Sequence, residues 1–271
     1  MKTILITGAS SGIGEATARH FQANGWSVIA TMRDPARGSA ALAGLDNVLV
    51  ARLDVTDAAS IPAAVAAGID HFGKIDVLLN NAGYGAYGAL EAFTMDRIRR
   101  QFDTNVIGLL EVTKAVLPHM RQNRSGTIIN ISSIGGQITF PLGTLYHGTK
   151  FAVESLSEAL HYELEPLGIR VRIVEPGMIK TNFGGSSFDF AMDESPSDYA
   201  PTAEAMGRLF GKLASNPSAP ETVAQVIWNA AHESGGRLRF RAGADAARLL
   251  DKRKSQDDAI FIGGIKKLMT C

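Results

Sequence analysis

The amino-acid sequence predicts a single α/β domain in which helices flank a doubly wound parallel sheet, and three observations lead to that fold class. Short β-branched runs alternate with amphipathic stretches, the pattern of strands joined by crossover helices. A glycine-rich turn follows the first apolar run and precedes a stretch with helical periodicity. The chain has 271 residues, 45% of them apolar, which is enough for one sizeable core. We therefore expect residues 1–271 to form one domain.

Seven strands are expected, with helical segments between them. The strands are predicted at residues 2–7, 26–31, 47–53, 75–80, 126–131, 169–175 and 237–242. Helices are predicted at 12–24, 35–44, 57–72, 94–123 with a break, 144–166, and 201–233 in two pieces. Residues 178–200 mix small polar and aromatic side chains and are predicted to be an irregular substrate loop, because long loops in compact domains tend to bind ligands. Residues 244–271 form a C-terminal extension beyond the seventh strand.

Composition narrows the classes of partner. Lysine and arginine together number 27, as do aspartate and glutamate, so the charge balance does not favour a nucleic acid or an acidic membrane surface. No apolar stretch reaches the ~18 residues of a membrane helix, and the apolar run after Met1 ends at Thr7, too early for an export signal. Cys271 is the only cysteine, which excludes an internal disulfide and fits a reducing compartment. We expect a cytoplasmic protein with a small-molecule ligand and, because the histidines lack metal-ligand spacing, no metal.

The turn after the first strand has the composition of a phosphate-binding loop of the Rossmann type. Glycines let the backbone turn tightly and let a phosphate approach the amides, and the following helix adds its positive N-terminal end. Its position between a strand and a helix gives the pattern its weight. The residues expected to bind a dinucleotide here are Gly8, Ser10, Ser11, Gly12, Ile13 and Gly14.

The end of the second strand predicts which dinucleotide binds. An acidic side chain there would accept a hydrogen bond from a free ribose 2′-hydroxyl, whereas an arginine can neutralise a 2′-phosphate. Arg33 precedes Asp34, and Ser11 is placed to add a hydroxyl contact. The sequence therefore favours NADP(H) over NAD(H). The alternative is that Arg33 and Asp34 form a solvated cap for the helix expected at Pro35.

Two further strand ends carry polar residues facing the expected ligand. Asp54 and Val55 follow the third strand and are expected at the adenine edge, although Asp54 is also suited to capping the next helix. Asn81, Ala82 and Gly83 follow the fourth strand, where a cofactor would pass over the sheet. The alternative for the asparagine is to tie neighbouring loops together.

Candidate catalytic residues lie in the middle of the chain. Tyr146 and Lys150 are four residues apart on a predicted helix, so their side chains share one face. Ser133 lies just beyond the fifth strand, and its spacing to Tyr146 favours it over the adjacent Ser132. Asn105 lies among apolar residues within a long helical region.

Together with the glycine loop, these four residues resemble the pattern of the short-chain dehydrogenase/reductase superfamily, specifically its single-domain branch. The resemblance extends from Thr7 through Pro176, Gly177 and Thr181, the last three being implied cofactor contacts. It implies hydride transfer between nicotinamide and a carbonyl or alcohol carbon. Within the superfamily, the chain looks most similar to steroid dehydrogenases and carbonyl reductases.

The resemblance implies a role for each catalytic residue. Tyr146 would donate or accept the proton, although a free tyrosine has a pKa of about 10. Lys150, with a positive nicotinamide ring, is expected to lower that pKa by ~3, which corresponds to ~4 kcal/mol, and to donate to the nicotinamide ribose. Ser133 would stabilise the substrate oxygen. Asn105 would hold a local helix distortion and a water of the proton relay.

The substrate pocket is expected to be mainly apolar, which suits a bulky or aromatic ketone. It should be formed by Tyr84, residues 137–145 and the loop after Gly177. The apolar side chains expected there are Phe140, Leu142, Leu145, Phe183 and Phe188. His147, beside Tyr146, is expected to pack rather than relay protons.

Alternative functions remain open. A β-ketoacyl-carrier reductase is one, although such chains usually end near the seventh strand. Arg97, Arg99 and Arg100 could then dock an acidic carrier protein, or simply form a solvated helix face. A non-catalytic NADPH sensor is a second alternative. Relatives pair through the long helices, so a homodimer or homotetramer is expected, with the C-terminal extension reinforcing or blocking one contact.

Overall fold

A parallel sheet organises the structure, a computed structural model that describes residues 1–38, 40–181, 187–191 and 196–270. The strands are β1 Thr3–Ile6, β2 Ser27–Met32, β3 Val48–Arg52, β4 Val77–Asn80, β5 Gly85–Tyr87, β6 Gly126–Ile131, β7 Ile169–Pro176, β8 Phe188–Phe190 and β9 Arg239–Ala242. Seven of them form one sheet in the order β3-β2-β1-β4-β6-β7-β9, with parallel pairing throughout. The predicted α/β fold class with seven parallel strands is confirmed.

Helices cover both faces of this sheet. They are α1 Gly12–Ala23, α2 Ser60–Phe72, α3 Met95–Phe102, α4 Gly108–Asn123, α5 Thr144–Leu164, α6 Ala200–Leu213, α7 Pro220–His232, α8 Ala244–Ser255 and α9 Asp258–Thr270. Side chains alternate along β1, so Ile4 and Ile6 pack with Phe21 of α1 and Ile227 of α7, while Leu5 packs on the opposite face. Both faces are buried, as parallel strands require.

The helix predicted at residues 35–44 is wrong. A three-residue 3₁₀ turn, Pro35–Arg37, is followed by turns in the described residues. Gly44 has a φ of +77°, outside the right-handed helical region, and a Cβ on Gly38 would lie 2.0 Å from the sulfur of Met32. A segment this short also nucleates a helix poorly.

The break predicted within residues 94–123 is a turn of π-helix. It spans Asp103–Ile107 and joins α3 to α4 without a loop. Asn105 lies inside this turn, and its side chain is buried. Because π-turns inside α-helices occur mostly at functional sites, the distortion points to the segment that faces α5.

A second, two-stranded sheet was not predicted. β5 and β8 pair in parallel, although the paired positions Tyr87 and Phe190 are 103 residues apart in the chain. β8 lies within the segment that was expected to be irregular. Arg97 of α3 forms a bidentate ion pair with Asp189 of β8, with nitrogen–oxygen distances of 2.5 and 3.2 Å. This pair and the strand pairing hold β8 beside the carboxyl end of the main sheet.

The C-terminal extension is helical. Leu249, Leu250 and Phe261 of α8 and α9 pack with Phe140 and Leu209, so the extension supports the region after β6. In the described ranges, none of the helices combines the length and the apolar character needed to cross a bilayer.

Candidate active site

The carboxyl ends of the central strands border one cleft of about 1440 Å³. It lies where the chain order reverses between β1 and β4, the position at which open parallel sheets bind ligands. The predicted site residues that line it are Gly8, Ser10, Ser11, Gly12, Ile13, Arg33, Asp54, Val55, Asn81, Ala82, Gly83, Ser133, Tyr146, Lys150, Pro176, Gly177 and Thr181. Gly14 and Asn105 do not line the cleft; they contact residues that do.

The glycine loop has the geometry that its sequence predicts. Gly8 and Gly12 have φ values of +68° and +58°, which favour glycine. A Cβ on Gly14 would lie 2.3 Å from the carbonyl oxygen of Gly8, so the turn closes only with glycine there. Ser11 precedes α1 in an extended conformation and makes no side-chain capping bond to its first turn. The first amides of α1 are therefore suited to an anion.

Asn81 ties this loop to the end of β4. Its Nδ2 donates to the carbonyl oxygens of Thr7 and Gly8, at 2.9 and 3.1 Å. The hydroxyl oxygen of Thr7 accepts from the amides of Asn81 and Ala82, both at 3.0 Å. The structural alternative for Asn81 is thus present, and it fixes the floor of the cleft.

Arg33 and Asp34 have different surroundings at the end of β2. The Oδ1 of Asp34 accepts from the amide of Ala36 at 3.0 Å, which caps the Pro35–Arg37 turn. Arg33 is exposed and lines the cleft together with Ser11. The cap therefore involves the acid, while the arginine is available to a ligand.

Asp54 also has a capping role. Its Oδ1 accepts from the amide and the hydroxyl of Thr56, at 2.9 and 2.8 Å. Both Asp54 and Val55 still line the cleft, at the end of β3. A cap through one carboxylate oxygen is compatible with ligand contact through the other.

Three catalytic candidates meet deep in the cleft. The phenol of Tyr146 is hydrogen-bonded to the side chain of Ser133. The Nζ of Lys150 lies 5.9 Å from the centre of the Tyr146 ring and donates to the carbonyl oxygen of Ile131 at 2.8 Å. Tyr146 and Lys150 are 8% and 9% exposed, so both polar groups act in a desolvated site. The spacing on α5 and the end of β6 bring these side chains together.

The pKa of Tyr146 in the chain alone reflects its burial, and the lowering expected from Lys150 together with a positive nicotinamide ring stays a prediction. Burial raises the pKa of Tyr146 to about 12, and the hydrogen bond to Ser133 opposes the rise. Burial lowers the pKa of Lys150 to about 8, and the negative charge of Glu154 opposes that change. Desolvation is the largest influence on the pKa of the phenol, while the ammonium of Lys150 donates to the carbonyl oxygen of Ile131. The phenol is held protonated at neutral pH, as a proton donor requires.

The structure distinguishes the two adjacent serines. Ser133 contacts the phenol, and its Oγ accepts from the amide of Gly135 at 3.0 Å. The hydroxyl of Ser132 faces Glu154 instead. The Ser133 hydroxyl can accept from Gly135 and still donate its own proton, to the Tyr146 phenol or to an acceptor bound beside it.

Asn105 joins three elements behind the candidate catalytic residues. Its Nδ2 donates to the carbonyl oxygen of Tyr84 at 2.9 Å and to the hydroxyl of Thr149 at 3.1 Å. Its Oδ1 accepts from the amide of Tyr84 at 3.0 Å. The helix distortion expected at Asn105 is present, and the residue links it to α5 next to Lys150; a relay water there stays a prediction.

Comparison with known protein families shows which family the chain belongs to. The model described as short chain dehydrogenase matches residues 2–191. The chain belongs to the short-chain dehydrogenase family. It is therefore an oxidoreductase whose fold implies a nicotinamide cofactor, and the resemblance found in the sequence is confirmed.

Relatives of this short-chain dehydrogenase extend over most of the chain. An uncharacterised oxidoreductase of Schizosaccharomyces pombe is 42% identical over 242 residues, 88% of this chain and 99% of the relative. The 3-ketodihydrosphingosine reductase of Bacteroides thetaiotaomicron is 37% identical over 252 residues, 93% and 91% of the two chains. A solved short-chain dehydrogenase from Streptomyces avermitilis superposes with a TM-score of 0.83 at 38% identity, covering 94% and 93%. Other solved neighbours, at 27% and 29% identity, are complexes with NADPH and with NADH.

An aromatic wall borders Tyr146 in this short-chain dehydrogenase. Tyr87 stacks on Phe188 with ring centres 5.2 Å apart and lies 5.5 Å from the ring of Tyr146. Phe140 and Phe210 continue the wall, with ring centres 5.8 Å apart. The sequence predicted Phe140 and Phe188 but missed Tyr87 and Phe210, because β5 is too short for a periodic signal and α6 is remote in sequence.

The other side chains expected in the pocket have different positions. Tyr84 lines the cleft, whereas Leu142 and Leu145 pack behind the wall against neighbouring apolar residues. Gln137 donates to Glu175. Phe183 lies outside the described residues.

The loop after β7 depends on the C-terminal extension. The amide of Met178 donates to the Oδ2 of Asp245, on α8, at 2.6 Å. A Cβ on Gly177 would lie 2.2 Å from the same carboxylate. Asp245 was not predicted as a site residue, since only the folded structure brings it to the loop after β7.

Proposed function

We propose that this short-chain dehydrogenase uses NADP(H) to interconvert a bulky or aromatic ketone and the corresponding secondary alcohol. The observation that carries the proposal is the contact between Ser133 and Tyr146 beside Lys150, directly under the aromatic wall. A proton donor, a hydrogen-bond donor and a fixed cation at one end of a dinucleotide-sized cleft are the groups that carbonyl reduction needs.

The residues present fit a nicotinamide dinucleotide. The left-handed turns at Gly8 and Gly12 and the first amides of α1 suit its pyrophosphate. Arg33 would hold a ribose 2′-phosphate, and Asp34, engaged in its turn, does not compete for that position. When bound, the cofactor supplies or accepts the hydride. These contacts favour NADP(H) over NAD(H).

The chain's own groups account for the proton and the developing charge. In the reducing direction, the Tyr146 hydroxyl donates its proton to the substrate oxygen while Ser133 donates a hydrogen bond to the same atom. Lys150, anchored to the carbonyl oxygen of Ile131, holds a positive charge next to the phenol as it becomes an anion. Its Nζ would also donate to the nicotinamide ribose.

The wall supports the choice of substrate class. Four aromatic rings surround the reaction centre, and buried aromatic surface binds flat or extended apolar groups. The similarity to a 3-ketodihydrosphingosine reductase agrees with a substrate that carries its ketone on an apolar frame.

A β-ketoacyl thioester remains the second candidate. Arg99 and Arg100 are exposed, line the outer part of the cleft, and could contact an anionic carrier. Arg97, by contrast, is paired with Asp189. Arg97 thus has a structural role, whereas Arg99, which pairs with Asp96, and Arg100, which lies over the ring of Tyr84, remain exposed to solvent.

We further propose that the protein is a cytoplasmic homo-oligomer that pairs through α4 and α5. Ile107, at the end of the π-turn that leads into α4, and Phe151 of α5 are 49% and 42% exposed, and apolar side chains of this size are suited to a subunit contact. Light scattering after size exclusion tests the pairing, and a monomer at micromolar concentration would contradict it.

One screen tests cofactor, activity and substrate class together. Purified protein is mixed with NADPH or NADH and with steroid, aryl, ketoester and acyl-thioester carbonyls, and loss of absorbance at the nicotinamide band is followed. We expect turnover with NADPH on steroid or aryl ketones. Preference for the acyl thioester would select the second candidate, and tight NADPH binding without turnover on any carbonyl would support the sensor.

A further inference from the structure

We propose that His147 is a positioning residue that fixes Ser133 and the substrate wall to the helix carrying Tyr146. The inference rests on the proposed function for its catalytic meaning, since Ser133 is assigned there to the substrate oxygen. Packing alone, as the sequence predicts, does not describe the surroundings of this side chain.

Both ring nitrogens of His147 bind backbone groups. Nε2 lies 3.0 Å from the amide nitrogen of Phe140, and Nδ1 lies 3.0 Å from the carbonyl oxygen of Gly135. An amide only donates and a carbonyl only accepts, so the ring must be neutral with its proton on Nδ1. The side chain is 3% exposed, which makes both partners dependent on it.

Gly135 connects the imidazole to the catalytic serine. Its carbonyl oxygen accepts from His147, and its amide donates to the Oγ of Ser133 at 3.0 Å. Ser133 is the residue that begins the 3₁₀ turn Ile134–Gly136. The ring is therefore hydrogen-bonded to the same peptide turn that orients the Ser133 hydroxyl.

The space around the ring is closed. A Cβ on Gly135 would lie 2.7 Å from Nδ1, and a Cβ on Gly143 would lie 2.5 Å from Cδ2. Tyr87 meets the ring edge to face at 5.8 Å, and Phe140 lies 5.7 Å away. The two glycines and two rings of the aromatic wall thus restrict the imidazole to a single orientation.

This role differs from proton relay. Burial lowers the pKa of His147 to about 4, so the ring stays neutral at working pH. Both nitrogens are engaged by the backbone, which leaves none to exchange a proton with the phenol. His147 acts through Ser133 and Phe140, on the alignment of the substrate carbonyl.

A kinetic double-mutant cycle tests the connection to Ser133. We expect His147→Phe to lower kcat on the best ketone at least tenfold, with the Kd for NADPH unchanged within twofold. In a Ser133→Ala background the same substitution should cost less than threefold, because the serine through which it acts is gone. His147→Asn, whose amide can donate to Gly135, should recover part of the loss. Equal losses in both backgrounds would show a general packing effect and overturn the proposal.

His161→Phe is the matched control, since it makes the same change farther along α5, away from the cleft. It should leave kcat within twofold. A loss comparable to that of His147→Phe would place the effect in the helix as a whole and contradict the proposal.

Hydrogen exchange supplies a readout independent of turnover. Amides in residues 134–143 should exchange at least tenfold faster in His147→Phe, and not in His161→Phe. Faster exchange in a protein that reduces no carbonyl would support the positioning role of His147 while refuting the proposed function. Unchanged exchange would refute the positioning role whatever the activity.

Discussion

At the scale of single residues, the environment decides what each side chain does. Spacing indicated that Tyr146 and Lys150 share a face of α5, and the structure places them so. The spacing in the sequence did not indicate that burial would raise the pKa of Tyr146 to about 12, because desolvation depends on which atoms surround a group. A protonated phenol is the form that a proton donor needs, and the assistance expected from Lys150 and a bound nicotinamide stays a prediction.

Tyr146→Phe tests the proton donor. Removing one oxygen should lower kcat at least 100-fold, the range that general acid catalysis supplies. The Kd for NADPH, measured by fluorescence titration, should change little. Tyr162→Phe is the matched control on the same helix, where Tyr162 is 68% exposed. Turnover of Tyr146→Phe near the parent level would remove Tyr146 from the mechanism.

Arg33→Ala tests the cofactor assignment. Losing a charge-assisted contact to the 2′-phosphate should weaken NADPH binding about tenfold or more, the effect of ~1.5–3 kcal/mol, and leave NADH binding unchanged. Arg19→Ala provides an exposed arginine outside the cleft as control. An unchanged ratio of NADPH to NADH affinity would show that Arg33 does not read the phosphate.

At the scale of elements, long periodic segments were predicted and short or non-local ones were not. All seven strands of the main sheet were expected, because buried β-branched runs mark them clearly. The helix predicted at 35–44 was wrong, because Gly38 and Gly44 occupy conformations or spaces that a regular helix does not provide. The pairing of β5 with β8 has no local signal, since it depends on Arg97 and Asp189 meeting across the fold.

Asp245→Ala tests the dependence of the loop after β7 on α8. Without its carboxylate, the amide of Met178 loses an acceptor at 2.6 Å, and the end of the cleft near Tyr146 should loosen. We expect about tenfold weaker NADPH binding with unchanged affinity for 2′,5′-ADP, which lacks the nicotinamide half. Asp251→Ala, an exposed acid on the same helix, is the control. Equal weakening of both ligands would argue against a local effect on the nicotinamide end.

At the scale of the whole molecule, buried charge lies behind the active site. Glu175 is 1% exposed, and Arg239 lies 3.9 Å from it while also pairing with Glu154 at 2.8 Å. Burial, with the charge of Glu154, raises the pKa of Glu175 from 4.5 to about 7. Ionising this group in the fold is therefore costlier than in the unfolded chain.

The sign of that shift gives a stability prediction. Between pH 4.5 and 7 the unfolded chain releases the Glu175 proton first, so stability falls as pH rises through this window and stays reduced above it. Glu175→Gln should remove the penalty, raising the free energy of unfolding by about 3 kcal/mol at pH 8 and little at pH 4.5. Urea unfolding at both pH values measures it, with the exposed Glu163→Gln as control. Equal effects at both pH values would disprove the assignment.

The sequence by itself determined the parallel α/β sheet, the glycine loop, and the spacing of Ser133, Tyr146 and Lys150, because these follow from local periodicity and from backbone needs. Only the tertiary structure decided the aromatic wall, the support from Asp245, the two anchors of His147 and the direction of the Tyr146 pKa. Those properties arise from contacts between residues far apart in the chain and from burial. Neither exists until the elements pack.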